Sequence, residues 1–211
     1  MKTLYSAISR GTESLVFNWR IPVGEFERMR SPFMAGDFPF PVKYGYAAVG
    51  HIENGGDALR GKTVFALYPH QTAFNIPASA AVALPEEVPP HRAVLAANME
   101  TALNGVWDAA PGPADRIAVI GAGVVGSLVA YLCGRISGTD VTLVDVNFSR
   151  AELAGKLGVG FAEPGNAKAD CDLVVHASGS PDGLRTALEL AADLEHWLGE
   201  WNGGYQAQHP R

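Results

Sequence analysis

The chain has 211 residues, 47% apolar and 18% charged, with a formal net charge of -6, the composition of a globular protein able to bury a sizeable core. With no basic run to neutralise phosphates, it is not expected to bind nucleic acid or an anionic membrane surface, and no apolar run approaches the ~20 residues of a membrane span. Cys133 and Cys171 lie far apart in apolar segments without metal-ligand spacing, and MKTLYSAISRGTES lacks a signal-peptide core, so two buried thiols in a cytoplasmic, reducing setting are expected.

From Met1 to about Pro90 the sequence consists of short β-like runs, KTLYSAIS, YAAVGHI, KTVFALY, TAFNIPA and AVALP, separated by Gly and Pro turn signals. His91 to Ala110 then places Leu95, Met99, Ala102, Leu103 and Val106 at three- and four-residue spacing, which predicts one amphipathic helix. The loop PGPAD follows, and from Arg116 onward apolar strands alternate with helices, the pattern of a parallel sheet covered on both faces. These textures predict an α/β chain with a β-rich domain over residues 1–110, a nucleotide-binding domain over 111–191 and an atypical tail over 192–211. The tail has no Val, Ile or Thr, so it cannot easily supply a further buried strand, and its composition resembles out-of-frame or foreign sequence.

RIAVIGAGVVGSLVAYLCGR, Arg116 to Arg135, reads as a strand, a glycine turn and a helix. In that arrangement Gly121 permits the tight turn, Gly123 admits a pyrophosphate to the backbone, and Gly126 lets the helix pack on the strand, with Ala122, Val124 and Val125 completing the turn. The helix N-terminus offers amide donors and partial positive charge to phosphates. A second strand, DVTLV, ends in Asp145, 24 positions after Gly121, where a carboxylate would accept hydrogen bonds from a ribose diol. Asp145 would repel a 2′-phosphate, which favours NAD over NADP, while Arg150 is the residue that could accommodate that phosphate. Arg150 also reads as a solvated side chain at a helix start, where Ser149 and Glu152 form an SxxE capping box. CDLVVHASGS reads as the next strand, with Ser178 and Gly179 beside the cofactor, His176 packed or hydrogen-bonded within the strand rather than catalytic, and Ser180 and Pro181 opening a helix. An S-adenosylmethionine-dependent methyltransferase would also use a glycine turn, but Ile120 stands where such a turn carries an acid.

The β-rich half, METALNGVWDAAPGPADRIAVIGAGVVGSLVA and VVHASGSPDGLRTALEL together resemble the medium-chain dehydrogenase/reductase superfamily, the zinc-type alcohol dehydrogenase relatives, over roughly Leu4 to Leu190. SAISRGTES and the YGY segment are most similar to its zinc-poor branch, which includes bacteriochlorophyllide-type and threonine-dehydrogenase-like proteins. The resemblance implies a GroES-like substrate domain followed by a Rossmann domain, both incomplete, and NAD(H)-linked interconversion of a small-molecule alcohol and carbonyl. It also implies a homodimer for the full-length family. Zinc-dependent members carry Cys-x-Thr/Ser-Asp and Gly-His-Glu motifs; here Arg10 stands at the cysteine, Tyr46 at the histidine and Ala47 at the glutamate, so no zinc is expected. Without it, alkoxide stabilisation and proton transfer need other groups. The resemblance points to Thr12 at the relay hydroxyl, to Tyr46 as a donor to the substrate oxygen and to Glu100 near the cleft. Each has a plainer reading: a turn hydroxyl, a packing aromatic and an exposed helical charge. His70 is either an acid or base, or a surface hairpin histidine. The chain is expected to be a truncated member, with a catalytically inactive nucleotide-binding fragment as the alternative.

Overall fold

A computed structural model describes residues 1–191, which divide into a unit over Met1–Ala97 and a second from Asn98 onward. The atypical tail over 192–211 lies outside the described residues.

The first unit contains β1 (Lys2–Ser6), α1 (Arg10–Phe17), β2 (Ala35–Gly36), β3 (Val42–Lys43), β4 (Ala48–His51), β5 (Thr63–Ala66), β6 (Val82–Ala83) and α2 (Pro90–Ala93). Its main sheet is antiparallel in the order β1-β4-β5-β6, and β2 pairs with β3 separately. Ala48, Val49 and Gly50 of β4 are buried in succession, which requires small residues on both faces of the strand. A Cβ on Gly50 would run into the carbonyl of Lys2 on β1. Val16, Val64, Ala66, Ile52 and Phe74 are also buried in this unit.

Three local expectations differ from the structure here. SRGTE is not a turn but the start of α1, whose first turn is held by Glu13: its Oε1 accepts the Ser9 backbone N–H at 2.6 Å. TAFNIPA contributes only an isolated bridge from Ala73 to Lys2, because Phe74 turns into the interior and stacks on Tyr68 at 3.8 Å between centroids. The single helix expected over 91–110 is two helices, α2 and α3 (Ala96–Ala109). Pro90 opens α2 at its first position. A Leu95 N–H bond to the Arg92 carbonyl at 3.1 Å then tightens its end to three-residue spacing, which interrupts the helical ladder.

The second unit continues α3 with β7 (Arg116–Ile120), α4 (Val124–Cys133), β8 (Asp140–Val144), α5 (Ala151–Leu157), β9 (Gly160–Ala162), β10 (Leu173–His176) and α6 (Pro181–Leu190). All four strands are parallel in the order β10-β7-β8-β9. Side-chain alternation sends Ile117, Val119, Val141, Leu143 and Leu173 to one face, with Ala102 of α3, Val129, Ala130 and Cys133 of α4, and Ala154 of α5. Ala118, Ile120, Val144 and Val174 face the other way, against Ala187 and Leu190 of α6. Because Ala102 is fully buried in this core, α3 from Asn98 on belongs to the second unit, and the division falls inside the helix rather than at PGPAD.

The SxxE capping box before α5 does not form. Asn147 accepts the Ser149 N–H at 3.1 Å to open a 3-10 turn over Phe148–Arg150, and Glu152 pairs with Lys156 at 2.6 Å instead. A short Asx turn satisfies the first amide before Ser149 can reach the helix.

Candidate functional site

The strand order reverses beside β7: β8 and β9 lie on one side of it and β10 on the other. In an open parallel sheet this makes a crevice beyond the carboxyl ends of the two strands where the order switches, here β7 and β10. Gly121 leaves β7 with φ +105°, and a Cβ on it would lie 2.7 Å from Ser178 Cα after β10. Gly126 is equally constrained, since its Cβ would collide with the Gly121 carbonyl and stand 3.3 Å from Ala177 Cβ. Gly123 differs: a Cβ there would meet nothing. It caps α4 with extended backbone and no side-chain acceptor for the first-turn amides, so a helix N-terminus opens onto free space. Ala122 is 1% exposed and Val125 packs against the core, so both offer the site only their backbone. Val124 is 49% exposed at the rim.

Asp145 follows β8 directly and reaches back to this turn. Its Oδ2 accepts the Ala122 N–H at 2.7 Å and its Oδ1 the Asn147 N–H at 2.8 Å. Each oxygen retains a lone pair. Arg150 is half-buried at the end of the 3-10 turn. On the β10 side Gly179 takes φ +64°, and the Ser178 hydroxyl pairs with His176 Nε2 at 2.7 Å and with Ser180 Oγ at 3.1 Å. Gly121, Ala122, Gly126, Asp145 and Ser178 are thus brought together by direct contacts, with Val124, Arg150 and Gly179 bordering them in sequence. An uncapped helix start, a Cβ-free approach at Gly123 and a carboxylate beside the turn fit the phosphates and ribose of a dinucleotide.

In the first unit, the Tyr46 hydroxyl donates to Thr12 Oγ1 at 3.3 Å, so these two residues meet. Glu100 lies exposed on α3 and accepts a hydrogen bond from Asn104 one turn later. His70 is not a loose surface histidine. Its Nε2 lies 2.7 Å from Glu13 Oε2, its Nδ1 contacts the Ser6 hydroxyl, and its ring covers Gly45, where a Cβ would approach to 2.7 Å. The neighbouring Tyr44 hydroxyl donates to the Met29 carbonyl at 2.6 Å. Burial first, then Tyr46 and Glu13, push its phenol up to about 12. Sequence reasoning missed Ser6 and the partnership of Glu13 with His70; the one local signal was the Gly between two tyrosines.

No protein-family model matches the sequence. Solved structures do. A protein described as a zinc-binding dehydrogenase, from Sinorhizobium meliloti 1021 and bound to NADP, superposes with TM-score 0.70 at 18% identity, over 90% of this chain and 65% of that one. A thermostable alcohol dehydrogenase from Pyrobaculum aerophilum matches with TM-score 0.70 at 17% identity, over 90% of this chain and 64% of that one. A short chain alcohol dehydrogenase from E. coli CFT073, complexed with NADH, matches with TM-score 0.57 at 21% identity, over 70% and 57% of the two chains. The chain shares the fold of these dehydrogenases over the part it covers. It spans less than two thirds of the length of these structures.

A catalytic zinc in this fold would need about three Cys, His or carboxylate donors converging. Among the described residues no group of three His, Cys, Asp or Glu side chains is placed to hold a metal ion. Arg10 and Tyr46 supply no soft or imidazole donor where the medium-chain resemblance puts ligands. Both thiols are poor donors: burial pushes Cys133 up to about 11 and also raises Cys171. Among the described residues, the side chains present do not offer the donor set of a zinc centre. Among the described residues no helix is long and apolar enough to cross a membrane.

Proposed function

We propose that the chain is a medium-chain dehydrogenase/reductase that binds NAD(H) and interconverts a small-molecule alcohol and its carbonyl compound without catalytic zinc. The observation that carries this reading is the Asp145 carboxylate, bonded to the Ala122 amide at 2.7 Å on the glycine turn, where a ribose diol would meet it. When bound, the dinucleotide supplies the hydride acceptor or donor. Gly123, Val124, Val125 and Gly126 would hold its phosphates through backbone amides, with Gly121 and Ala122 shaping the turn through amides bonded to Val144 and Asp145 and with Ser178 and Gly179 on the opposite lip. NAD is favoured over NADP because a 2′-phosphate would lie against the Asp145 charge; Arg150 is the group through which NADP would be admitted. Thr12 and Tyr46 are proposed to orient and donate to the substrate oxygen, and Glu100 to face the substrate. Two free, buried cysteines suit a reducing cytoplasmic setting.

Fluorescence titration of the purified chain with NADH, with NADPH and S-adenosylmethionine in parallel, tests the cofactor reading. NADH should bind most tightly, and Asp145→Ala should weaken it at least about tenfold, the loss expected for a charged hydrogen bond worth ~1.5–3 kcal/mol. S-adenosylmethionine binding without NADH binding would replace this reading with a methyltransferase.

A further inference from the structure

Ser6, His70 and Glu13 are linked in series, and each link has a defined donor and acceptor. Glu13 is fixed on both oxygens, by the Ser9 N–H at 2.6 Å and by His70 Nε2 at 2.7 Å, and its side chain is 13% exposed. A carboxylate only accepts, so the neutral ring carries its proton on Nε2 and turns a bare Nδ1 toward Ser6. The Ser6 hydroxyl donates to that nitrogen. The ring is also held from outside the series: the His70 backbone N–H bonds the Tyr44 carbonyl at 3.0 Å, and a Cβ on Gly45 would come within 2.7 Å of the imidazole.

All three residues belong to the first unit, on β1, on α1 and after β5, so the cluster is complete without any group from the second. Its two ends differ. Ser6 is exposed at the end of β1, while Glu13 is largely enclosed. A hydroxyl at the surface, a bare imidazole nitrogen behind it and an enclosed carboxylate behind the ring stand in the order of a nucleophile, its base and the group that orients the base. That arrangement recurs on unrelated folds and is recognised by geometry and roles rather than by position in a sequence. Here Nδ1 faces the hydroxyl and Nε2 the carboxylate; either ring nitrogen can take the proton when the other is fixed.

The geometry points to a second activity for this chain: Ser6 is an activated nucleophile that hydrolyses uncharged carboxylic esters, with His70 as its base and Glu13 as the positioning residue. This goes beyond the dehydrogenase reading and does not depend on it. Ile8, two positions after Ser6, is 74% exposed, and the Glu13 carboxylate lies behind the ring, so an uncharged ester suits the surroundings better than an anionic one. In the first step Ser6 Oγ bonds to the ester carbonyl carbon as the hydroxyl proton passes to His70 Nδ1. The bond from that carbon to the leaving oxygen then breaks, and the departing alcohol or phenol takes the proton from Nδ1. Water next gives a proton to Nδ1 and its oxygen attacks the acyl group on Ser6. The carboxylic acid leaves, and Ser6 recovers its proton from the ring. In both steps Glu13 pairs with the transient imidazolium.

The test uses the full chain without cofactor. Diisopropyl fluorophosphate should phosphorylate the wild type at Ser6, as located by peptide mass mapping, and should not label Ser6→Ala. With para-nitrophenyl acetate, Ser6→Ala and His70→Gln should each lower kcat/KM about 100-fold or more, the usual contribution of a positioned proton-transfer group. Glu13 is tested by nitrogen NMR of the His70 ring, which should carry its proton on Nε2 in the wild type. In Glu13→Gln the side-chain oxygen keeps the Ser9 N–H and the amide turns its N–H toward Nε2, so the ring proton should move to Nδ1 and Ser6 should lose its reactivity. The proposal is overturned by a wild type that takes up no label or takes it up away from Ser6, by a wild-type ring protonated on Nδ1, or by undiminished ester hydrolysis in Ser6→Ala. The wild-type label and tautomer decide the matter even where a variant fails to fold.

Discussion

Gly45 joins backbone geometry to chemistry at a single position. It takes φ +121°, and a Cβ would come within 2.7 Å of the His70 ring, so Gly45→Ala should lose at least about 2 kcal/mol from backbone strain and displaced imidazole together; urea denaturation measures the loss. Tyr44 beside it sets an alkaline limit on stability. Its phenol sits at about 12 in the folded chain against an ordinary 10.0, so the unfolded chain releases this proton first as pH rises. The contribution of Tyr44 is present below about pH 10 and is lost as pH climbs toward 12. Tyr44→Phe should flatten that part of a Tm-versus-pH profile while lowering Tm at neutral pH through loss of the Met29 hydrogen bond. For the substrate oxygen, Tyr46→Phe should reduce the hydride-transfer rate without changing NADH affinity; unchanged single-turnover rates would remove Tyr46 from the mechanism.

Among the elements, α4 and α6 were legible in the sequence because their start signals are local. Ser180 accepts the Gly183 N–H at 3.0 Å with Pro181 at the first helical position, as the motif SGSP predicts. Ser180→Ala should cost about 1 kcal/mol, read as a shift in the urea midpoint. Gly126→Ala should cost more, because the methyl meets the backbone carbonyl of Gly121 rather than a movable side chain; thermal unfolding with and without NADH would show lower stability and weaker cofactor stabilisation together. By contrast, α1 was not read as a helix. Its eight residues include Gly11 and two hydroxyl residues, and what starts it is the reach of Glu13 back to Ser9. The Val94–Leu95 break between α2 and α3 was equally hidden, since the three- and four-residue apolar spacing runs through it unchanged.

For the molecule as a whole, the second unit has its most enclosed strand at the centre: β7 pairs on both sides, and Ile117 to Ile120 are at most 3% exposed. Native-state hydrogen exchange should therefore be slowest at β7 within this unit and faster at β9, which among the described residues pairs on one side only. The parallel strands and the glycine turn could be read from residue order because an apolar run, a GxGxxG turn and an acid ending the next strand are each short-range patterns with a direct physical cause. Strand order, the crevice between β7 and β10 and the bond from Asp145 to Ala122 follow from pairing between distant segments. The same holds more strongly in the first unit. Sequence alone determined its β-rich texture, a matter of composition and local order. Only the tertiary structure brought Ser6, Glu13 and His70 into one cluster, because no periodicity in a chain records which of its distant turns will share a hydrogen bond.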